Sequence, residues 1–542
     1  MNRKISAILI GTFLVTAFAA SAPAFAASLP EEAAAYDTAY EVDGDYGGAD
    51  SDWVSELREQ KGMPYLRGIN VCLNGEYLDF GSIAPITKDN RTMVPVRAFF
   101  EKIDADVTYE QGRISVQMED GARLEMRLNS PLLTRVKDGE TTEITMDVTP
   151  YADPASGRTY IPVRYVADVL GAEVTWDDFY EVAYINDWDG LQAEIDRNFT
   201  VVNGLLAAAQ ERWDESKNYN SKDKFTVSGT LYGENKDDTA IFSLTGDTYF
   251  NHAAISSDLL VDADLGGMKD TIFSELPDAV AEVIEALDGS RFQVIADLES
   301  GAFYGKGSRL SEMSGGALPN DTWLGTFLDE AEAAELQRAA DPIMGRTMTV
   351  GQLIVDQARG SYWAESAYTD AVSNGRKTQL LLGDPYFTQK TNGNATTYST
   401  QGDMLTLMSR VESLGLREEF GLSGDMTVFD LLEEAGKQPS VNYALSFTLT
   451  DGKLSGYTMT GKLKQSGTVP FELSFDLQGS RSAAKLTAAF KGTYIGKLEM
   501  RMDSAAAETV TAPLSAPASG EKVMDLEELL DGWRSAEPDS PY

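Results

Sequence analysis

The sequence predicts an α+β protein, in which an N-terminal duplicated ββαββ domain is followed by a large antiparallel β-rich domain with covering helices. Three observations predict it. The motif at residues 91–97 returns at 158–164, an offset of 67 (158 minus 91) that holds without a gap. The last third of the chain is built of long segments alternating apolar and polar residues. Runs with helical spacing stand between two blocks of such segments, which suggests one curved sheet partly covered by helices.

The chain opens on Arg3 and Lys4, an apolar run over 5–20, and Ala24-Phe25-Ala26. That is the plan of a secretory signal peptide, with residues 1–26 removed before Ala27. No stable transmembrane segment is expected after cleavage. The single cysteine, Cys72, is not at the cleavage point, so no lipid anchor is expected, and one cysteine forbids an internal disulfide. Cys72 reads as a buried apolar side chain. Removing Arg3 and Lys4 leaves 43 basic residues against 85 acidic ones, a mature charge of −42. Such a surface repels nucleic acid and anionic membranes. Residues 27–68 read as a flexible acidic lead.

The repeat accounts for residues 69–187. Asn74-Gly75 is a hairpin signal, because both central positions of the tightest hairpin turn need a positive φ. Arg91-Thr92-Met93-Val94-Pro95-Val96-Arg97 corresponds to Arg158-Thr159-Tyr160-Ile161-Pro162-Val163-Arg164. Each copy reads as a strand ending at proline, which cannot donate to a ladder. Short amphipathic helices are expected over 98–103 and 165–170. Gly171 is placed to end the second helix, and Asp104 holds the same position in the first. Ala105-Asp106-Val107-Thr108-Tyr109 and Ala172-Glu173-Val174-Thr175-Trp176 begin the closing strands. Arg97 and Arg164 are expected to bond backbone carbonyls or an acidic neighbour such as Asp106 or Glu173. Tyr109 and Trp176 are expected to pack under the helices rather than to form a sugar platform.

These residues carry a resemblance. The pattern Arg-Thr-x-hydrophobic-Pro-hydrophobic-Arg, a short helix, and Gly-Ala-x-Val-x-Trp is similar to the copper amine oxidase N-terminal-like, or stalk, domain. The signature residues are Arg91, Pro95, Arg97, Tyr109, Arg158, Pro162, Arg164, Gly171 and Trp176, and the first copy departs from the pattern at Asp104 and Tyr109. The resemblance implies a non-catalytic appendage of exported Gram-positive proteins, acting as a spacer or wall-contact module. It does not carry the copper with it. An amine oxidase centre needs several imidazoles, and this chain has one histidine, His252. No cofactor and no metal is expected, and His252 reads as an ordinary strand residue.

Beyond the repeat, residues 188–503 read as the β-rich domain and 504–542 as a tail rich in Ala, Pro and acid. One amphipathic helix is expected from Leu191 to about Tyr219, and further helices over 268–287, 321–340, 349–358, 402–414 and 427–435. Strands are expected over 225–232, 239–244, 249–265 and 292–304. A second block follows over 441–450, 453–464, 469–477, 485–491 and 495–502, with a turn at Asp451-Gly452. In architecture alone this resembles the outer-membrane lipoprotein carrier and related lipid-binding half-barrels. No Gly-x-Ser-x-Gly, His-Glu-x-x-His or phosphate-binding loop occurs. The expected function is therefore an exported, non-catalytic binding or structural protein of the cell envelope, whose partners would be a cell-wall polymer or another envelope protein. The alternative is a carrier or sensor of an apolar ligand in the curved sheet. A carboxylate-based hydrolase is the weaker alternative, since it needs two carboxyl groups facing across a groove.

Overall fold

The computed structural model describes residues 52–211, 214, 216–232, 238–264, 285–314, 316, 318–328, 348–360, 364–420, 440–466, 470–492 and 496–526. The signal segment expected over 1–26, the helix expected over 427–435 and most of those expected over 268–287 and 321–340 lie outside them; where the last enters the described residues, Trp323–Phe327 is a strand, not a helix. The chain divides into two compact units: residues 32–198 with 350–377, and residues 199–349 with 378–542.

In the first unit the two repeats are interlocked. Strand β4 (Arg91–Pro95) of the first copy pairs antiparallel with β11 (Thr159–Pro162) of the second, within a four-stranded sheet of order β10-β11-β4-β3 completed by β3 (Ile86–Lys88) and β10 (Tyr151–Ala152). The outer sheets exchange hairpins between copies. The opening hairpin of copy one, β1 (Asn70–Leu73) and β2 (Glu76–Tyr77), joins the closing hairpin of copy two, β12 (Glu173–Asp177) and β13 (Val182–Asn186), through a parallel β1–β13 pair. The closing hairpin of copy one, β5 (Asp106–Glu110) and β6 (Arg113–Gln117), reaches β8 (Leu132–Lys137) and β9 (Glu140–Thr145) across an interposed strand, β7 (Arg123–Arg127). Neither copy completes its outer sheets alone.

The local chemistry is as the sequence predicts. Asn74 and Gly75 have φ of 50° and 85°. Pro95 and Pro162 end their strands and directly precede α2 (Val96–Lys102) and α3 (Val163–Leu170). Gly171 at φ 72° and Asp104 at φ 56° both follow their helices in the left-handed region. Ala105 N donates to Phe100 O, and its repeat equivalent Ala172 N donates to Ala167 O. The helices seal one core, in which Phe99, Phe100, Val94, Ile161, Val166 and Ile185 are fully buried.

The lead, expected to be flexible as far as residue 68, instead contains helix α1 (Asp52–Gln60). Its Arg58 is completely buried, donating to Glu181 Oε2 at 2.9 Å and to the carbonyls of Leu66 and Gly68. A buried guanidinium needs such partners, so it ties the segment down. The unit also recruits helices from the segment read as the β-rich domain: α4 (Trp188–Asp196), α6 (Val350–Arg359) and the N-terminal part of α7 (Ala364–Leu382), a helix the sequence reading did not expect. Gly351 permits the close approach of α6, since a Cβ there would lie 2.5 Å from Gln192 O, and its N–H donates to Asp196.

Among the described residues the second unit holds one fourteen-stranded sheet. Strands β14 (Asn218–Leu231), β15 (Asp238–Phe250), β16 (Ala254–Asp264), β17 (Arg291–Asp297), β18 (Ala302–Gly307) and β19 (Trp323–Phe327) form one meander. Strands β20 (Thr388–Asn392), β21 (Ala395–Asp403), β22 (Ser440–Thr450), β23 (Lys453–Gln465), β24 (Phe471–Gly479), β25 (Ala483–Gly492) and β26 (Gly496–Thr509) form the other. The two merge where β26 pairs with β14 from Asn218↔Thr509 to Leu231↔Gly496. The tail therefore does not begin at 504: β26 runs through it to Thr509, and β27 (Val523–Asp525) adds in parallel to β19.

The helix expected from 191 to 219 is two helices, because α5 (Thr200–Gln210) starts afresh after Phe199. Asp384 caps it from far along the chain, accepting from Thr200 N and Val201 N at 2.9 Å each. Helix α8 (Met404–Ser413) is capped by its own Asp403 and holds buried Arg410. That guanidinium donates to Leu380 O and to the Tyr443 hydroxyl, and stacks 3.8 Å from the Tyr386 ring centre.

Candidate binding surfaces

The signature residues of the repeat do not converge on one site. Arg91 grips Asp147 with Nε at 2.9 Å and Nη2 at 2.7 Å, and this guanidinium together with the Tyr165 hydroxyl holds the Asp147 carboxyl below its usual range. Pro95, Pro162 and Gly171 shape the backbone as described. Arg97 is exposed and pairs with Glu101 one helical turn on, while Arg158 and Arg164 are exposed. The expected bonds from Arg97 to Asp106 and from Arg164 to Glu173 are not formed; Glu173 instead receives Arg359 at 2.5 Å.

Tyr109 and Trp176 correct a second expectation. Both are exposed, at 50% and 43%, because β5 and β12 are the edge strands of their sheets. Trp176 Nε1 donates to Asp178 Oδ1 at 2.7 Å, and Asp177 Oδ1 folds the following turn by accepting from Phe179 N and Tyr180 N. This turn displays Phe179, 47% exposed, against Trp53 of α1, 41% exposed, at 5.6 Å between ring centres. Tyr180 meets Phe179 edge-on at 4.7 Å, and Lys61 lies 5.0 Å over the Tyr180 ring while bonded to Glu365. The sequence reading missed Trp53 and Phe179. Trp53 falls in the segment read as flexible, and Phe179 in the turn between β12 and β13.

Two other residues singled out in the sequence are not part of the ring series. Cys72 is buried with Met63, Val182 and Tyr184, and burial pushes its thiol up to about 12. His252 lies in the turn between β15 and β16 rather than inside a strand, 3.8 Å from Glu299. Among the described residues no group of three or more His, Cys, Asp or Glu is arranged to hold a metal. The residues present do not fit the copper of the family name.

The large sheet has one apolar and one polar face. Residues paired across an antiparallel ladder project to the same side. Following the pairs gives Leu445, Met459, Leu477, Leu486, Met502, Phe225, Leu244 and Val261 in one row over eight strands. A parallel row on the same side runs Leu463, Leu473, Phe490 and Leu498. On the opposite side the row beside the first is Thr460, Asp476, Thr487, Arg501, Thr226, Ser243 and Asp262. That side also carries ion pairs such as Lys485–Asp503 at 3.0 Å. Helix α5 covers part of the apolar side, packing Leu205, Ala208 and Ala209 on Phe447, Leu454, Tyr457 and Leu477. The second row stays open: Leu473 and Leu498 are 40% and 49% exposed.

One polar island interrupts the apolar side. Asp223 accepts from Ser221 Oγ and Ser504 Oγ at 2.5 Å each, and burial raises its pKa. Thr248 and Ser257 continue the hydroxyl network at 3.0 Å. Elsewhere, an open groove of about 430 Å³ lies at the ends of β22–β25, where the β22–β23 register shifts at Thr448. Ser446, Thr448, Thr458, Gln478 and Lys485 line it with Phe447 and Tyr457, and its lining holds no carboxylate. No helix among the described residues is long and apolar enough to cross a membrane.

The family model described as copper amine oxidase N-terminal domain matches residues 72–185 and again residues 136–206. No curated protein and no solved structure matches the chain.

Proposed function

The chain carries a copper amine oxidase N-terminal-like domain, and from this premise we propose that it is an exported, non-catalytic binding protein of the cell envelope. Its N-terminal unit is the envelope contact or spacer, and the large sheet holds an apolar ligand such as an acyl chain. The observation that carries the ligand reading is the open row of Leu463, Leu473, Phe490 and Leu498, which lies on the same side as the largely buried row across eight strands. Exposed apolar residues in a row on so acidic a chain mark an interaction site rather than a feature of solubility. Export is supported by the basic start, the apolar run and Ala24-Phe25-Ala26.

Native mass spectrometry of the mature protein, with and without added C16 fatty alcohol, tests the ligand reading. One bound chain per protein is expected, reduced at least tenfold by Leu473→Asp or Leu498→Asp. A wild-type protein that takes up no alcohol overturns it. Sequencing the N-terminus of protein recovered outside the cytoplasm tests export: Ala27 is expected, and an intact Met1 start overturns it.

A further inference from the structure

We propose that Trp53, Phe179 and Tyr180 form a binding site for a neutral or amino-sugar polysaccharide. This gives a surface and a ligand chemistry to the N-terminal unit, and it rests on the envelope contact proposed above. Trp53, Phe179 and Tyr180 make a continuous series, at 5.6 and 4.7 Å between ring centres. Trp53 and Phe179 are held open to water at a cost, while Tyr180, which meets Phe179 edge-on, packs against the Met63–Tyr184 cluster; such open rings on a fixed base mark a contact site.

The surroundings select the ligand. Aromatic faces stack on the C–H faces of sugar rings, while planar polar groups take the hydroxyls; here Asp177, Asp178 and the Lys61–Glu365 pair border the rings. A greasy protein partner would instead favour an apolar rim. Overall charge excludes polyanions, since a mature chain of −42 repels them, and it tolerates or attracts amine-bearing sugars.

The experiment uses the mature full chain with two probes: the hexamer of N-acetylglucosamine, followed by tryptophan fluorescence, and sacculi stripped of anionic polymers and protease-treated, followed by co-sedimentation. Binding of both is expected. Phe179→Ala and Trp53→Ala are each expected to weaken it at least tenfold with an unchanged melting temperature, whereas Trp53→Phe, which keeps a ring, restores most of it. Failure to bind either probe overturns the proposal, as does wild-type affinity in both alanine variants. Sacculus binding that persists in those variants sinks this site while leaving the envelope contact intact. Binding only to sacculi that have kept their proteins overturns it in favour of a protein partner.

Discussion

The two units solve the same problem of burying β-strands in different ways. In the N-terminal unit the strands are short, two to six residues, and two copies of one motif exchange hairpins until their apolar sides are enclosed, most in one large core and Cys72, Val182 and Tyr184 in a smaller one. In the sheet unit the strands of the central meander run to fourteen residues. Their apolar residues lie on one side of one continuous sheet, and part of that side stays open at Leu473 and Leu498. The contrast separates stability from function. Where apolar side chains are enclosed they hold the fold; where they are open in a row they are available to a ligand.

The comparison is broken most directly by truncating one residue of each kind. Phe99→Ala, at a fully buried ring in edge contact with Phe100 at 5.6 Å, is expected to destabilise the N-terminal unit by about 3–5 kcal/mol in denaturant melts. A loss under about 1 kcal/mol would mean the core is not sealed. Next in size is Arg58→Met, which removes a buried guanidinium from Glu181 and two carbonyls. It is expected to cost about 2–3 kcal/mol and to speed amide exchange over 61–68. Slow exchange there in the variant would show that α1 is held by other contacts.

Asp104→Gly works in the opposite direction. A non-glycine residue at φ 56° carries strain that glycine lacks, so a gain of about 0.5–1 kcal/mol is expected, and a loss would show that the aspartate side chain matters more than its backbone.

Acidity acts on the two units with opposite signs. The carboxyl of Asp147 is lowered from 3.8 by Arg91 and then Tyr165, so its contribution is present above the unfolded value and is lost as pH falls through the lower folded one. Asp223 is raised from 3.8 by burial, so the sheet is favoured below the unfolded value and loses that advantage as pH rises through the higher folded one. Melting curves between about pH 3 and pH 7 should therefore show Asp147→Asn most damaging at neutral pH, and Asp223→Asn gaining relative to wild type as pH rises. Parallel behaviour of the two variants would refute the contrast. The smallest effect is expected for Leu498→Ser, within about 0.5 kcal/mol of wild type because the side chain is half exposed. A loss above about 1.5 kcal/mol would show that the open row is structural.

Much of this was legible in the residues. The turns at Asn74-Gly75 and Asp451-Gly452, the prolines ending β4 and β11, and the left-handed positions at Asp104 and Gly171 are local requirements of backbone geometry, and each lies where it was read. The period-two strands of the second half follow for the same reason. The hairpin of β20 and β21 was missed although Asn392-Gly393 marks it, because its threonine-rich strands show little apolar alternation.

The candidate surface was less legible. Trp176 and Tyr109 have the composition of core residues, and only their place on edge strands exposes them. Phe179 meets Trp53 because α1 and the turn after β12 are brought together, a contact between positions more than a hundred residues apart.

The sequence by itself therefore determined the duplication, the turns at Asn74-Gly75 and Asp451-Gly452 with the ends of the two repeat helices, the one-sided alternation of the long strands, and the misfit between one histidine and a copper centre. Those properties depend on φ, on side-chain period and on residue counts, all of which are local or additive. Only the tertiary structure decided that the copies exchange hairpins, that β26 and β14 fuse two meanders into one sheet, that Asp384 caps α5, and that the aromatic rings stand open. Each of these is a pairing between distant segments, set by which apolar faces and unpaired edges meet when the chain closes on itself.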